Sequence, residues 1–157
     1  MHCKKMLLLI LSMFLVTTFA GSVFADRQEN RIVTRGMIKR TAHVILIAHK
    51  EVKEHHIYTG DLARAIAHQK FAKQLFHDGE YLRAMRQTKL ARRLAAKAIM
   101  ANKGAVPVQA KVTAEEESLT ANGPSDEQLS KELHVAMPSE PMQDEAVVKT
   151  QVDVDLK

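Results

Sequence analysis

Six histidines stand between residues 43 and 77: His43, His49, His55, His56, His68 and His77. A neutral imidazole is a transition-metal ligand, and imidazoles on facing helices can hold zinc, copper or nickel. His49 and His56 lie two turns apart on one helical stripe. A hairpin turning near residues 58–59 sets His68 opposite His49, since both are equidistant from the turn. His49, His56 and His68 are therefore the metal-ligand set that the spacing offers. No HExxH motif and no cysteine ligand accompanies them, and Glu51 and Glu54 fall off the stripe. A second chemistry is cationic. Arg83, Arg86, Lys89, Arg92, Arg93 and Lys97 cover one side of a helical stretch, joined by Arg64, Lys70 and Lys73 on the stretch before it. Clustered guanidinium and ammonium groups neutralise anions, and Arg83, Arg86, Arg92 and Arg93 are the candidate anion- or partner-binding residues. Catalytic chemistry has no comparable set. Hydroxyl side chains are sparse here, Asp61, Asp78 and Glu80 sit at helix ends, and no nucleophile has an oriented base beside it. A Gly-rich phosphate loop is absent as well.

The elements that must position these groups are helical. Between Arg31 and Lys103 there is no proline, and glycine occurs only at positions 36, 60 and 79. Alanine, leucine, lysine, arginine and glutamine dominate, all good helix formers. Gly60 and Gly79 are natural stops, each followed by an acidic residue suited to a helix start. The pattern predicts helices over 31–57, 61–77 and 80–102, joined by short connections that make neighbours antiparallel. In the first, Ile38, Ala42, Ile45, His49, Val52 and His56 form a single stripe at helical spacing. In the third, Tyr81, Ala84, Thr88, Ala91, Ala95 and Ala98 make a seam of small residues. The fold class expected is all-α: a three-helix antiparallel bundle followed by a disordered acidic C-terminal tail.

The second and third helical stretches repeat each other at an offset of nineteen. Between 60–75 and 79–94, the pairs Gly60/Gly79, Arg64/Arg83, Ala65/Ala84, Lys70/Lys89, Ala72/Ala91 and Leu75/Leu94 are identical. The stretch Ala72, Leu75, Gly79, Tyr81 and Ala84, with Ala91 further on, resembles a tetratricopeptide-repeat helical hairpin. That resemblance implies two antiparallel helices packed closely through small residues over about 65–98. It also implies a peptide-binding role.

The ends bound where the chain works. Lys4 and Lys5 precede an apolar run from Met6 to Ala20, and Val23 and Ala25 occupy the small-residue positions of a cleavage site. This is the order of a secretory signal peptide cut after Ala25, leaving a periplasmic or secreted chain with no transmembrane span. Cys3 is the single cysteine and leaves with that segment, so the mature chain has no disulfide. The remainder is electrically divided. The helical domain spans 26–103, and residues 26–102 of it hold sixteen Lys or Arg against seven Asp or Glu, a net of +9. Residues 103–157 hold five Lys against eleven Asp or Glu, a net of −6.

Proline at 107, 124, 138 and 141 and a lack of aromatics mark 104–157 as an acidic, largely disordered tail. Within it, Ser125–Gln128 has the form of a capping box opening a short helix to about His134. Val148, Thr150, Val152, Val154 and Leu156 alternate with polar residues as a strand would. Opposite charge also allows the tail to lie back on the basic body. Two function classes are open on these grounds. One is an exported, non-enzymatic interaction protein whose partner is a protein or an anionic envelope component, with no nucleic acid and no cofactor. The other is a metal-binding protein using His49, His56 and His68. The apolar run Val44–Ile47 beside the buried stripe would also be covered if two copies paired as a homodimer.

Overall fold

Runs of alanine, leucine and long straight-chain residues with no internal proline leave the backbone few alternatives to helix. The computed structural model describes residues 2–138, 143–150 and 152, with side chains from residue 28 onward. Three long helices form its body: α1 (His2–His55), α2 (Asp61–His77) and α3 (Tyr81–Lys103). The last two match the expected spans to within a residue at each end, whereas α1 starts well before residue 31. Gly104, in the left-handed region at φ 73°, ends α3 with its N–H donating to the Met100 carbonyl. That conformation is cheap only without a Cβ.

α2 runs antiparallel to both neighbours, so α1 and α3 are parallel. Three contacts along their length show it. The Thr34 hydroxyl approaches the Tyr81 carbonyl, Thr41 donates to the Thr88 carbonyl at 3.3 Å, and Lys103 Nζ reaches Glu51 at 2.7 Å. The expected stripe of α1 is buried at Ile38, Ala42, Ile45 and Val52. The small seam of α3 is buried at Ala84, Thr88, Ala91, Ala95 and Ala98. Ala72 of α2, with Ala84 and Ala91 the small residues of the hairpin resemblance, has no exposed surface either. Small side chains let the helix axes approach closely, which is where α2 and α3 gain their contact.

The chain beyond α3 corrects the expected count of three helices. After a 3₁₀ turn at Val108–Ala110 come α4 (Ala114–Thr120), α5 (Asp126–Ala136) and α6 (Asp144–Val148), so the described residues hold six α-helices. Capping explains two of them. Ser125 Oγ accepts the Gln128 N–H while the Gln128 side chain accepts the Ser125 N–H, so the expected box is formed. Thr113 and Glu116 do the same for α4. Instead of a largely disordered tail, the described part of 104–152 supplies core residues. Ala110, Leu129, Val147 and Val148 join the main cluster built from α1, α2 and α3. Leu133 packs with Ala67, Phe71, Leu75 and Ala84 in a second cluster. The expected strand near the C-terminus is also revised: Val148 closes α6, no strand occurs among the described residues, and 153–157 lie outside them.

This cover changes how the apolar flank of α1 is satisfied. Val44 and Ile45 are buried within the single chain, Ile47 packs against the same cluster, and Leu46 is left exposed. Three of these four residues are therefore packed within the single chain.

α6 also completes α2. Gly60, at φ 79°, stands at the N-cap and has no side chain to cap with. Asp144, eighty-odd residues away in sequence and almost fully buried, accepts the Gly60 N–H at 2.7 Å and the Ala63 N–H at 2.8 Å. A carboxylate at a helix N-terminus satisfies orphan donors and complements the helix dipole. Asp144→Ala should destabilise the fold by about 1–2 kcal/mol, the usual magnitude for a lost N-cap. Urea unfolding should show this as a lower midpoint at unchanged slope; an unaltered midpoint would mean that α6 does not hold α2.

Candidate functional site

The residues proposed for chemistry fall on two surfaces, and the structure treats them differently. The hydrogen bond from Gln69 Nε2 to the Ile38 carbonyl, 2.8 Å long and buried, sets the register of α2 against α1. Residue 68 thus stands level with about residue 39. At 1.5 Å per residue that separates His68 from His49 by roughly 15 Å along the helix axis. The two are not opposite, because residues 56–60 form an extended connection instead of a tight turn centred at 58–59.

His68 is fully buried, and its Nδ1 lies 2.7 Å from Gln87 Oε1. An acceptor oxygen there assigns the ring proton to Nδ1 in the neutral imidazole. His49 is half-buried, and the Nε2 atoms of both rings are enclosed without a partner among the described residues. His56 lies beyond the end of α1 in the left-handed region at φ 61°, exposed, with Nδ1 3.0 Å from the Tyr58 hydroxyl. The structure thus does not bring His49, His56 and His68 together. Among the described residues the one group of three or more ligand types with converging atoms is Glu51, Glu54 and His55, within 4.8 Å of one another. Glu51 in that group is already bound by the Lys103 ammonium.

The basic residues are brought together, and acidic residues of the tail lie over them. Arg92 has no exposed surface. Its Nε donates to Thr41 Oγ1 at 3.1 Å, one terminal nitrogen to Glu116 Oε2 at 2.7 Å and the other to the Met37 carbonyl at 3.3 Å. Glu116, only 4% exposed, receives Arg40 at 3.0 Å on its other oxygen, while Oε2 also takes the Thr113 N–H of its own capping box. Burial draws the Arg92 guanidinium below its ordinary pKa and Glu116 opposes that shift, but an arginine stays charged.

Around this enclosed pair lie more open ones. Lys89 reaches Glu117 at 2.9 Å, Arg93 reaches Asp126 at 3.1 Å, and Arg83 is bound by both Glu80 and Glu132. Arg86 lies under the link between α4 and α5, close enough that a methyl added at Gly123 would meet its Nε at 2.7 Å. Of the four arginines expected to bind a partner, Arg92 is an interior counter-ion, Arg83 and Arg93 are paired to α5, and Arg86 is partly covered.

Sequence reasoning missed Glu116, although Thr113-x-x-Glu116 repeats the pattern recognised at Ser125. It also missed the polar line through the bundle. Thr88 donates to Gln69 Oε1 at 2.7 Å, and Gln87 donates to the Leu129 carbonyl and to Glu132. No protein-family model, curated protein or solved structure matches the chain. The tetratricopeptide-repeat likeness therefore rests on the α2–α3 hairpin residues alone.

These contacts carry two expected outcomes. Arg92→Met, which strands the Glu116 carboxylate in the interior, should cost about 3–5 kcal/mol. Arg92→Met with Glu116→Leu should recover more than half of that in urea unfolding, because no buried charge is then left unpaired. The second outcome concerns pH. Burial, opposed by Gln87, holds His68 below its ordinary value of 6.5, so its neutral form is favoured in the folded chain. As pH falls below 6.5 the unfolded chain takes up that proton first, so stability should decline from pH 7 towards 5. Lys89 and Lys103 hold Glu117 and Glu51 below the usual carboxylate range, adding a further loss below about pH 4.5. His68→Gln should flatten the stability profile between pH 7 and 5 while leaving the acid limb in place.

Proposed function

We propose that this chain is an exported, non-enzymatic interaction protein whose acidic helix α5 is an exchangeable cover over a basic face. The observation that carries the reading is the contrast between its ion pairs. Arg92–Glu116 is sealed inside, whereas Arg93–Asp126 and Arg83–Glu132 stand partly open to solvent. Exposed pairs contribute only about 0–1 kcal/mol each and are screened by salt. An anionic partner, such as an envelope polysaccharide, can therefore replace Asp126 and Glu132 at Arg93 and Arg83 without dismantling the Arg92 anchor. The non-enzymatic part of the reading is supported by how the interior hydroxyls are used. Thr41, Thr88 and Thr120 all donate to carbonyl oxygens within the fold.

Export rests on the signal-like order of Lys4–Ala25, and a processed chain with the mass of residues 26–157 is its expected product. Among the described residues no helix is long and apolar enough to cross a membrane.

Dextran sulfate serves as the soluble polyanion for the binding test. Asp126→Asn with Glu132→Gln should tighten its binding several-fold at low ionic strength, and about 0.3 M salt should abolish it. Arg83→Gln with Arg93→Gln should weaken it. Equal affinity in all three proteins would remove the basic face as the binding surface.

A further inference from the structure

The outward side of α3 continues past the basic face into a groove whose floor is apolar. Ala96 and Met100 on α3, with Val106, Ala110 and Val112 of the segment that leaves it, line an open groove of about 440 Å³. Met100 is half-exposed, and neighbouring Val108 on the 3₁₀ turn is 77% exposed. The rim is entirely cationic: Arg93, Lys97 and Lys111. Arg93 is paired with Asp126, but Lys97 and Lys111 make no ion pair among the described residues and are exposed. Residues 93, 96, 97 and 100 share one face of α3, so one helix supplies both part of the floor and two of the three cations.

We infer that this groove binds the alkyl chain of a free single-chain carboxylate amphiphile, with Lys97 and Lys111 holding the carboxylate. Charge complementarity sets the sign of the head group, since no acidic side chain lines the groove. The floor decides the rest. A sugar or free phosphate needs hydrogen-bonding groups there, and the floor side chains are all aliphatic or thioether. An extended peptide would lay its backbone N–H and C=O groups on aliphatic and thioether side chains that can neither donate to them nor accept from them. An alkyl chain brings no polar group to the floor. The lysine stems can lie along it while their ammonium groups meet the carboxylate at the rim. The site goes beyond the polyanion reading: its ligand is a monoanion, and its specificity comes from the floor.

Dodecanoate, kept below its micelle-forming concentration, is the probe for calorimetric titration of the full chain. Saturable binding of one equivalent is expected. Dodecanol, which has the chain without the charge, should bind at least tenfold more weakly. Lys97→Gln with Lys111→Gln should weaken dodecanoate at least tenfold. Met100→Glu, which places a carboxylate on the floor at an exposed position, should abolish binding. Circular dichroism melting of both variants close to that of the parent keeps a folding defect from imitating these losses. Three results overturn the proposal: no saturable binding, affinity unaltered in both variants, or sedimentation with phosphatidylglycerol vesicles without uptake of monomeric dodecanoate. The last would make the surface a membrane contact. Failure here leaves the dextran sulfate result untouched, because the groove variants change Lys97, Lys111 and Met100 and keep Arg83 and Arg93 in place.

Discussion

A guanidinium with no exposed surface cannot be left without a counter-charge, and Arg92 is such a group. Its partners come from three places in the chain: Thr41 and Met37 on α1, and Glu116 on α4. Glu116 in turn holds Arg40 and closes the capping box that starts α4. Once Arg92 faces the interior between α1 and α3, the segment after Gly104 must return along the bundle to deliver a carboxylate. The path of the 3₁₀ turn and α4 is set by that need, and Ala110 is carried into the main core on the way. A local helix-start signal and a tertiary ion pair are thus the same side chain.

The interior is more polar than an alanine-rich bundle requires. Thr41, Thr88, Gln69 and the Ile38 carbonyl form a connected line across α1, α3 and α2. Helices packed through small residues present smooth surfaces that resist sliding weakly. Buried hydrogen bonds restrict them to one register, because a shift by one turn would strand several polar atoms. His68 and Gln87 extend this line to α5 through the Leu129 carbonyl and Glu132. The two residues are nineteen apart, as are Gln69 and Thr88 beside them. Nineteen is also the offset of the internal repeat, so these two pairs join repeat-equivalent positions where the antiparallel helices cross level with each other.

The tail is attached by contacts of unequal depth. Glu116 and Asp144 are enclosed and satisfy groups that would otherwise be stranded: the Arg92 guanidinium in one case, the N-terminal amides of α2 in the other. Leu129 and Leu133 bury one face of α5. Its acidic side meets Arg83 and Arg93 at the surface, where water and salt compete. This gradation lets a cover shift at its outer edge while its inner contacts hold.

Much of the body was legible in residue pattern alone. The absence of proline over 32–102, the stops at Gly60 and Gly79, and the 3–4 spacing of Ile38, Ala42 and Ile45 specify α2, α3 and the buried stripe of α1, because helix periodicity and stops are local properties. The Ser125 capping box was legible for the same reason. The tail was misread because a composition window counts only its own apolar residues. Leu129, Leu133, Val147 and Val148 are few, yet each fills a position on a body whose apolar surface is otherwise uncovered. The histidine pairing failed on register: equal distance from a turn aligns two residues only when the turn is tight, and the extended 56–60 link moved His68 towards Ile38. The sequence by itself determined the three body helices, their order, the start of α5 and the opposite charges of body and tail. Tertiary structure alone decided which arginine became interior, which carboxylate answered it and where the apolar groove opened, since those depend on contacts between residues tens of positions apart.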